Sequence, residues 1–180
     1  MNPLLAVLSI PDPLHPALVH FPIVLLLLGA VAAVVSAFLP RWHLPLLAAI
    51  LSVLGVVGTF VAAASGEEEG ERVEELKNIE PVLEAHETWA DRTEGAAVVF
   101  ALLAIGTAAT ARWRGVARVL GAGTAVAALA SVWCVAETGH YGGLLVYRHG
   151  AGVNLTSAAG GTQAEAGATI PENRRRDRDD

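Results

Sequence analysis

The chain has 180 residues, of which 53% are hydrophobic and 17% charged, with a net charge of −6 and a mean hydropathy of +0.49. Soluble domains of this length are usually more charged and less apolar, so the composition indicates a membrane protein. The single cysteine excludes a disulfide framework, a zinc ribbon and a covalent haem-attachment motif, and no basic nucleic-acid-binding surface is present.

Four apolar stretches, each long enough to cross a bilayer, follow one another along the chain. Phe21–Leu39 carry no ionisable side chain, and about 20 such residues cross the roughly 30 Å hydrocarbon core. This run is too long for the core of a signal peptide, and Met1–His15 lack Lys and Arg, so we predict that the first span is retained. We expect the second helix to end at Gly66 and the fourth at Gly139. The predicted spans are about 16–39, 44–65, 95–112 and 116–138.

An acidic segment, residues 67–94, separates the second and third spans. It begins with a solvated acidic run, and from Pro81 apolar residues recur at helical spacing, which predicts a helical extension of the third span. After the fourth span, the glycines of residues 139–153 argue against a regular helix. Residues 154–180 have the composition of a disordered tail. We therefore predict an all-α protein, an integral membrane four-helix bundle over residues 1–153 followed by that tail.

The distribution of charge predicts the orientation of the bundle. Residues 67–94 hold eleven acidic side chains, whereas the two short turns and their flanks carry arginines and no acid. The positive-inside rule then places both short turns in the cytoplasm, and both termini and the acidic segment on the outer side. The arginines concerned are Arg41, Arg112, Arg114 and Arg118.

Five of the six histidines fall on the outer side in this topology, and His43 alone falls inside. His20 lies about one turn into the first span, and His140 follows the fourth span at a similar depth. Two imidazoles on facing helices of a bundle can hold a haem iron axially, so we predict that His20 and His140 bind haem b. His86, His149 and His15 are expected to replace or support them. Imidazole also suits copper and zinc, for which His20, His140 and His86 are the candidate ligands.

Two carboxylates lie close enough in sequence to orient these rings. Glu137 and His140 form a Glu-x-x-His pair, and Glu94 begins the third span, so each is predicted to hydrogen-bond a ligand histidine. Both could equally be interfacial carboxylates that face water, and the histidines could simply satisfy backbone carbonyls. With one Glu-x-x-His pair a dinuclear carboxylate site is not predicted, and His86-Glu87 lacks the second histidine of a zinc protease.

Residues 15–22, HPALVHFP, resemble the opening of an uncharacterised family of bacterial four-helix membrane proteins, domain-of-unknown-function family 2231. His86 and the closing residues 142–153, GGLLVYRHGAGV, are similar to that family's pattern too. The resemblance implies four transmembrane helices in a bacterial inner membrane. It also implies an association with cytochrome c-type or other respiratory proteins, and a haem or metal site built from the histidines.

These observations together favour a binding or electron-transfer protein over a catalyst, because no hydrolase or phosphate-loop motif is present. We expect a membrane b-type haem electron-transfer module whose partners are the lipid bilayer and respiratory proteins, with no nucleic acid. Two alternatives stay open: a copper- or zinc-binding transport accessory, and a structural subunit of a respiratory complex without a cofactor. The sequence leaves the oligomeric state open.

Overall fold

A computed structural model describes residues 14–39, 43–73 and 78–151, with side chains described as far as residue 71 in the second range. Every element in these ranges is helical, and four of the helices are long and apolar enough to cross a membrane. This confirms the predicted all-α four-helix membrane architecture. The tail predicted over 154–180 lies outside the described residues. The helices are α1 (His15–Leu18), α2 (His20–Phe38), α3 (His43–Val73), α4 (Glu80–Ala109) and α5 (Arg114–His149).

Helices α1 and α2 follow one another with an interruption at Val19. Pro16 lies in the first turn of α1, where its missing N–H leaves no hydrogen bond unmade. Pro22 also lacks an N–H, so the carbonyl of Leu18 cannot receive the usual bond from four residues ahead. The same proline is buried, and it packs against α3 at Gly58. Pro22 therefore brings the start of α2 into close contact with α3.

The four long helices form a bundle in which each packs against two neighbours. Helix α2 packs against α3 and α5, and α4 packs against the same two helices. Leu26 and Phe100 are the largest side chains fully buried in the main core, and alanines from all four helices fill the rest. Small residues let helices approach closely in lipid, where tight packing drives association.

Pairs of threonine hydroxyls link α4 to α5. Thr107 and Thr124 lie 2.8 Å apart between their hydroxyl oxygens, and Thr93 and Thr138 lie 2.9 Å apart. Interhelical hydrogen bonds of this kind contribute about 0.6 kcal/mol each in membranes, so they act mainly to fix the register. That register decides which residues of α5 face His86.

Two of the expected helix ends are wrong. Helix α3 continues past Gly66 to Val73, and α5 continues past Gly139 to His149, where Gly150 ends it in the left-handed region with φ +69°. A glycine inside a helix costs about 1 kcal/mol relative to alanine, which packing can offset. Here a second small core lies between the start of α4 and the extended part of α5, and its buried residues are Ile79, Leu83 and Leu145. The predicted extension of the third span is confirmed, since α4 is continuous from Glu80 to Ala109.

The two ends of the bundle differ in composition. We call the end where α1 begins, α3 and α5 finish and α4 starts the histidine end, because it holds His15 and His86. The opposite end contains the connections between α2 and α3 and between α4 and α5, and we call it the arginine end. Glycine contacts join the helices at the histidine end: a Cβ on Gly66 would meet His15, and one on Gly70 would meet Glu87.

Candidate histidine site

His15 is half-buried against α3 at the histidine end. Its Nδ1 lies 2.9 Å from the carbonyl oxygen of Ala62 and 2.9 Å from the hydroxyl oxygen of Ser65. The Ser65 hydroxyl itself donates to the same Ala62 carbonyl at 2.7 Å. The ring lies over Gly66, where a Cβ would come within 3.0 Å of the His15 Cε1 atom. Glycine at position 66 therefore gives the imidazole the space that it occupies.

His86 is half-buried between α4 and α5 and is held in a similar way. Its Nδ1 lies 3.0 Å from the carbonyl oxygen of Thr138. A Cβ on Gly142, one turn further along α5, would lie 3.2 Å from the His86 Cε1 atom. Thr138 thus contacts α4 twice, through its carbonyl to His86 and through its hydroxyl to Thr93.

The hydrogen bonds fix which nitrogen of each ring is available. A carbonyl oxygen can only accept, so the contact with Thr138 favours the hydrogen on Nδ1 of His86, and the contact with Ala62 favours the same tautomer of His15 when the Ser65 hydroxyl donates to Ala62. In the neutral imidazole the proton is then on Nδ1, and Nε2 keeps a lone pair. Metal-binding histidines commonly donate their other N–H to a backbone carbonyl in this way. Both rings therefore have the tautomer of a ligand that binds through Nε2.

Helix α3 connects the surroundings of the two histidines. Gly66 and Gly70 are four residues apart, so they lie on one face of α3, and they contact α1 and α4 respectively. Within the described ranges, no group of three or more His, Cys, Asp or Glu side chains is placed to hold a metal ion. The half-buried imidazoles of this end that have described carbonyl contacts are those of His15 and His86.

The other predicted histidines lie in different surroundings. His20 and His140 are both exposed on the bundle, and His140 makes an edge-to-face contact with Tyr141 at 5.3 Å between ring centroids. His149 is half-buried in the last turn of α5. The negative end of the helix dipole there favours positively charged side chains. The predicted axial role of His20 and His140 is untested, and the half-buried rings of His15 and His86 offer a competing pair.

The carboxylates predicted to orient the ligand histidines, Glu137 and Glu94, are half-buried on α5 and α4. The hydrogen bonds described for His15 and His86 come from backbone carbonyls and from Ser65. The orienting role of Glu137 and Glu94 therefore stays a prediction. The rings of His15 and His86 are held instead by the carbonyls of Ala62 and Thr138.

Sequence reasoning missed the partners that hold the rings. The sequence predicts a helix end at Ser65 and Gly66 and an irregular segment around Gly142, whereas each of these residues lies beside an imidazole. A backbone carbonyl leaves no mark in a sequence, so the roles of Ala62 and Thr138 had no signal. The glycines did carry one, because a glycine inside a helix can indicate close approach by another group.

The histidines lie in a region that is shared with a known family. The family described as predicted membrane protein, DUF2231, matches residues 11–155. The chain belongs to the DUF2231 family. The match includes the opening HPALVHFP motif, His86 and the end of α5, and it agrees with a multi-pass membrane protein. A search of curated proteins and a search of solved structures found no match to the chain.

Proposed function

We propose that this DUF2231 protein is a membrane electron-transfer module that binds haem b through His15 and His86. The observation that carries the proposal is the state of the two rings: each is half-buried and donates from Nδ1 to a backbone carbonyl, so each Nε2 is ready to bind a metal. His15 and His86 come from different helices, as expected for axial ligands in a helical bundle.

The number of imidazoles favours haem over a bare metal ion. A structural zinc site usually takes four protein ligands and a catalytic one takes three. A six-coordinate haem iron takes two from the protein, because the porphyrin supplies four nitrogens. When bound, this group would supply reversible one-electron transfer. The pair His15 and His86 therefore suits the chemistry that haem b requires.

The surrounding residues support the pair in distinct ways. The carbonyls of Ala62 and Thr138 accept from Nδ1 of each ring, which directs Nε2 towards a ligand. Gly66 and Gly142 leave room for the rings, which larger residues would displace. These contacts orient the two imidazoles before any ligand binds, so less ordering entropy is lost on binding.

The orientation that we propose places the histidine end outside the bacterial cytoplasmic membrane. The arginines flank the opposite end, and the acids concentrate in residues 67–94, which supports this direction. An acidic outer surface would attract a soluble redox partner with a basic surface, such as a cytochrome c-type protein. The rate of electron transfer to such a partner should then fall as salt is added.

An optical and elemental analysis of the full-length protein tests the proposal. Protein purified in mild detergent from haem-replete cells should show a Soret band that sharpens on reduction, with about one iron per chain. His15→Ala and His86→Ala should each lose most of the haem, whereas His20→Ala and His140→Ala serve as matched controls and should keep it. Stoichiometric copper or zinc without haem would contradict the proposal in favour of a metal-binding accessory protein, and a colourless, metal-free preparation would contradict both.

A further inference from the structure

The connection between α4 and α5 at the arginine end carries a concentrated positive charge. Arg112, Arg114 and Arg118 are all exposed, and the Arg112 guanidinium stacks over the ring of Trp113 at 4.3 Å from its centroid. Trp113 is itself 52% exposed, as is usual for tryptophans at a membrane–water interface. Arg114 and Arg118 are four residues apart on one helix face, where like charges repel. An anion between them would relieve that repulsion.

The described helices carry no carboxylate near these arginines. Residues 13–66 and 95–136, which form the arginine end and the helices that reach it, contain no Asp or Glu. The described part of the acidic segment and residues 14 and 151 lie at the histidine end, on the other side of the apolar helices. An anionic lipid headgroup at the membrane surface would complement the charge of the arginines.

An apolar groove lies in the half of the bundle nearer the arginine end. It lies between α3 and α4 and is lined by Ala49, Ile50, Val53, Leu54 and Ile105. Val53 is 39% exposed and Ile105 is 45% exposed, so the groove is open to the surroundings of the bundle. Ile105 lies four residues before the end of α4, about 6 Å along the helix axis. The groove therefore lies at the depth of lipid chains, below the arginines.

We propose that the arginine end binds an acidic phospholipid, with its phosphate on Arg112, Arg114 and Arg118 and one acyl chain in the groove between α3 and α4. Guanidinium groups bind phosphate oxygens with paired, charge-assisted hydrogen bonds, which gives the arginines a preference for this headgroup. The zwitterionic headgroup of phosphatidylcholine carries its own positive charge and offers less compensation. This site is separate from the histidine site and does not depend on haem.

Native mass spectrometry of the full-length protein tests the headgroup site. With phosphatidylglycerol and phosphatidylcholine supplied in equal amounts, the unmodified protein should retain phosphatidylglycerol preferentially. Arg114→Gln/Arg118→Gln should reduce that retention at least about tenfold, since each arginine near a membrane surface contributes a factor of roughly five. The matched control Arg92→Gln/Arg148→Gln removes two exposed arginines at the histidine end and should leave retention unchanged. Equal retention of the two lipids, or equal losses in the two variants, would overturn the proposal.

A tryptophan substitution tests the acyl-chain groove. Val53→Trp fills the groove and should lower retention of phosphatidylglycerol. The control Val126→Trp makes the same change on α5, where the Val126 side chain is 69% exposed, and should leave retention unchanged. Soluble glycerol 3-phosphate should not displace the lipid if the chain contributes to binding. Full displacement by glycerol 3-phosphate, or equal retention in the two tryptophan variants, would overturn the assignment of a phospholipid to this groove.

Discussion

At the scale of single residues, the histidine site depends on two glycines as much as on two imidazoles. Gly66 and Gly142 each face a ring at a distance that a Cβ could occupy only by moving it. A ring moved by a few tenths of an ångström strains its hydrogen bond to the carbonyl of Ala62 or Thr138, which holds the proton on Nδ1. If the proposed haem site is correct, glycine at these positions should affect haem binding as well as helix packing.

Gly66→Ala should weaken haem binding while leaving the protein folded. The new methyl group would meet the His15 Cε1 at 3.0 Å, so the ring must shift and its bond to Ala62 must lengthen. Losing much of one hydrogen bond costs about 1 kcal/mol, or roughly fivefold in haem affinity. Haem titration of the apoprotein, followed by the Soret absorbance, measures this change.

Gly95→Ala is the matched control, because nothing lies within 4 Å of a Cβ at this exposed position of α4. It should leave haem affinity unchanged, and it should stabilise the helix by up to about 1 kcal/mol. Equal haem affinity in Gly66→Ala and Gly95→Ala would contradict the role assigned to Gly66.

At the scale of elements, the sequence predicts where apolar helices exist better than where they end. The uncharged run Phe21–Leu39 identified α2, because nothing but a buried or membrane-spanning helix accommodates such a stretch. Gly66 and Gly139 were expected to end helices, but the local preference of glycine was outweighed by contacts with other helices. Those contacts involve residues distant in sequence, such as Leu83 with Leu145, which no local pattern reveals.

The close packing of α2 on α3 predicts that a larger side chain at position 58 destabilises the bundle. Pro22 fits against Gly58, where a Cβ would meet three atoms of the rigid proline ring at 3.2–3.3 Å. Gly58→Leu should therefore separate the two helices and destabilise the bundle by about 1–3 kcal/mol. Unfolding in mixed micelles with increasing dodecyl sulfate measures the free energy. Gly115→Leu adds the same side chain where nothing lies within 4 Å and should cost far less, so equal losses would contradict this account of the α2–α3 contact.

At the scale of the whole molecule, charge on the connections predicts the orientation in the membrane. A periplasmically active phosphatase fused after Asp180 should be active, and the same reporter inserted after Trp113 should be inactive, because the arginines retain their turn in the cytoplasm. Phosphatase activity measured in intact bacteria distinguishes the two orientations. The opposite pattern of activities would place the histidine end in the cytoplasm.

The candidate site was only partly predictable from sequence at this scale. All the histidines of the histidine end could be placed there by counting spans, since span number and orientation follow from hydropathy and arginine placement. Which of them turn inward could not be deduced, because it depends on the rotation of each helix about its axis. His15 and His20 illustrate this: they are five residues apart, and the first is half-buried on α3 while the second is exposed.

The central claim is that His86 is a ligand of haem iron, and a ligand exchange tests it most directly. His86→Met retains a donor atom that can bind iron, and a Met/His pair has a higher reduction potential than a pair of histidines. We predict that potentiometric titration of His86→Met shows retained haem with a raised midpoint potential, while His20→Met matches the unmodified protein. An unchanged potential in His86→Met together with a raised one in His20→Met would contradict the account.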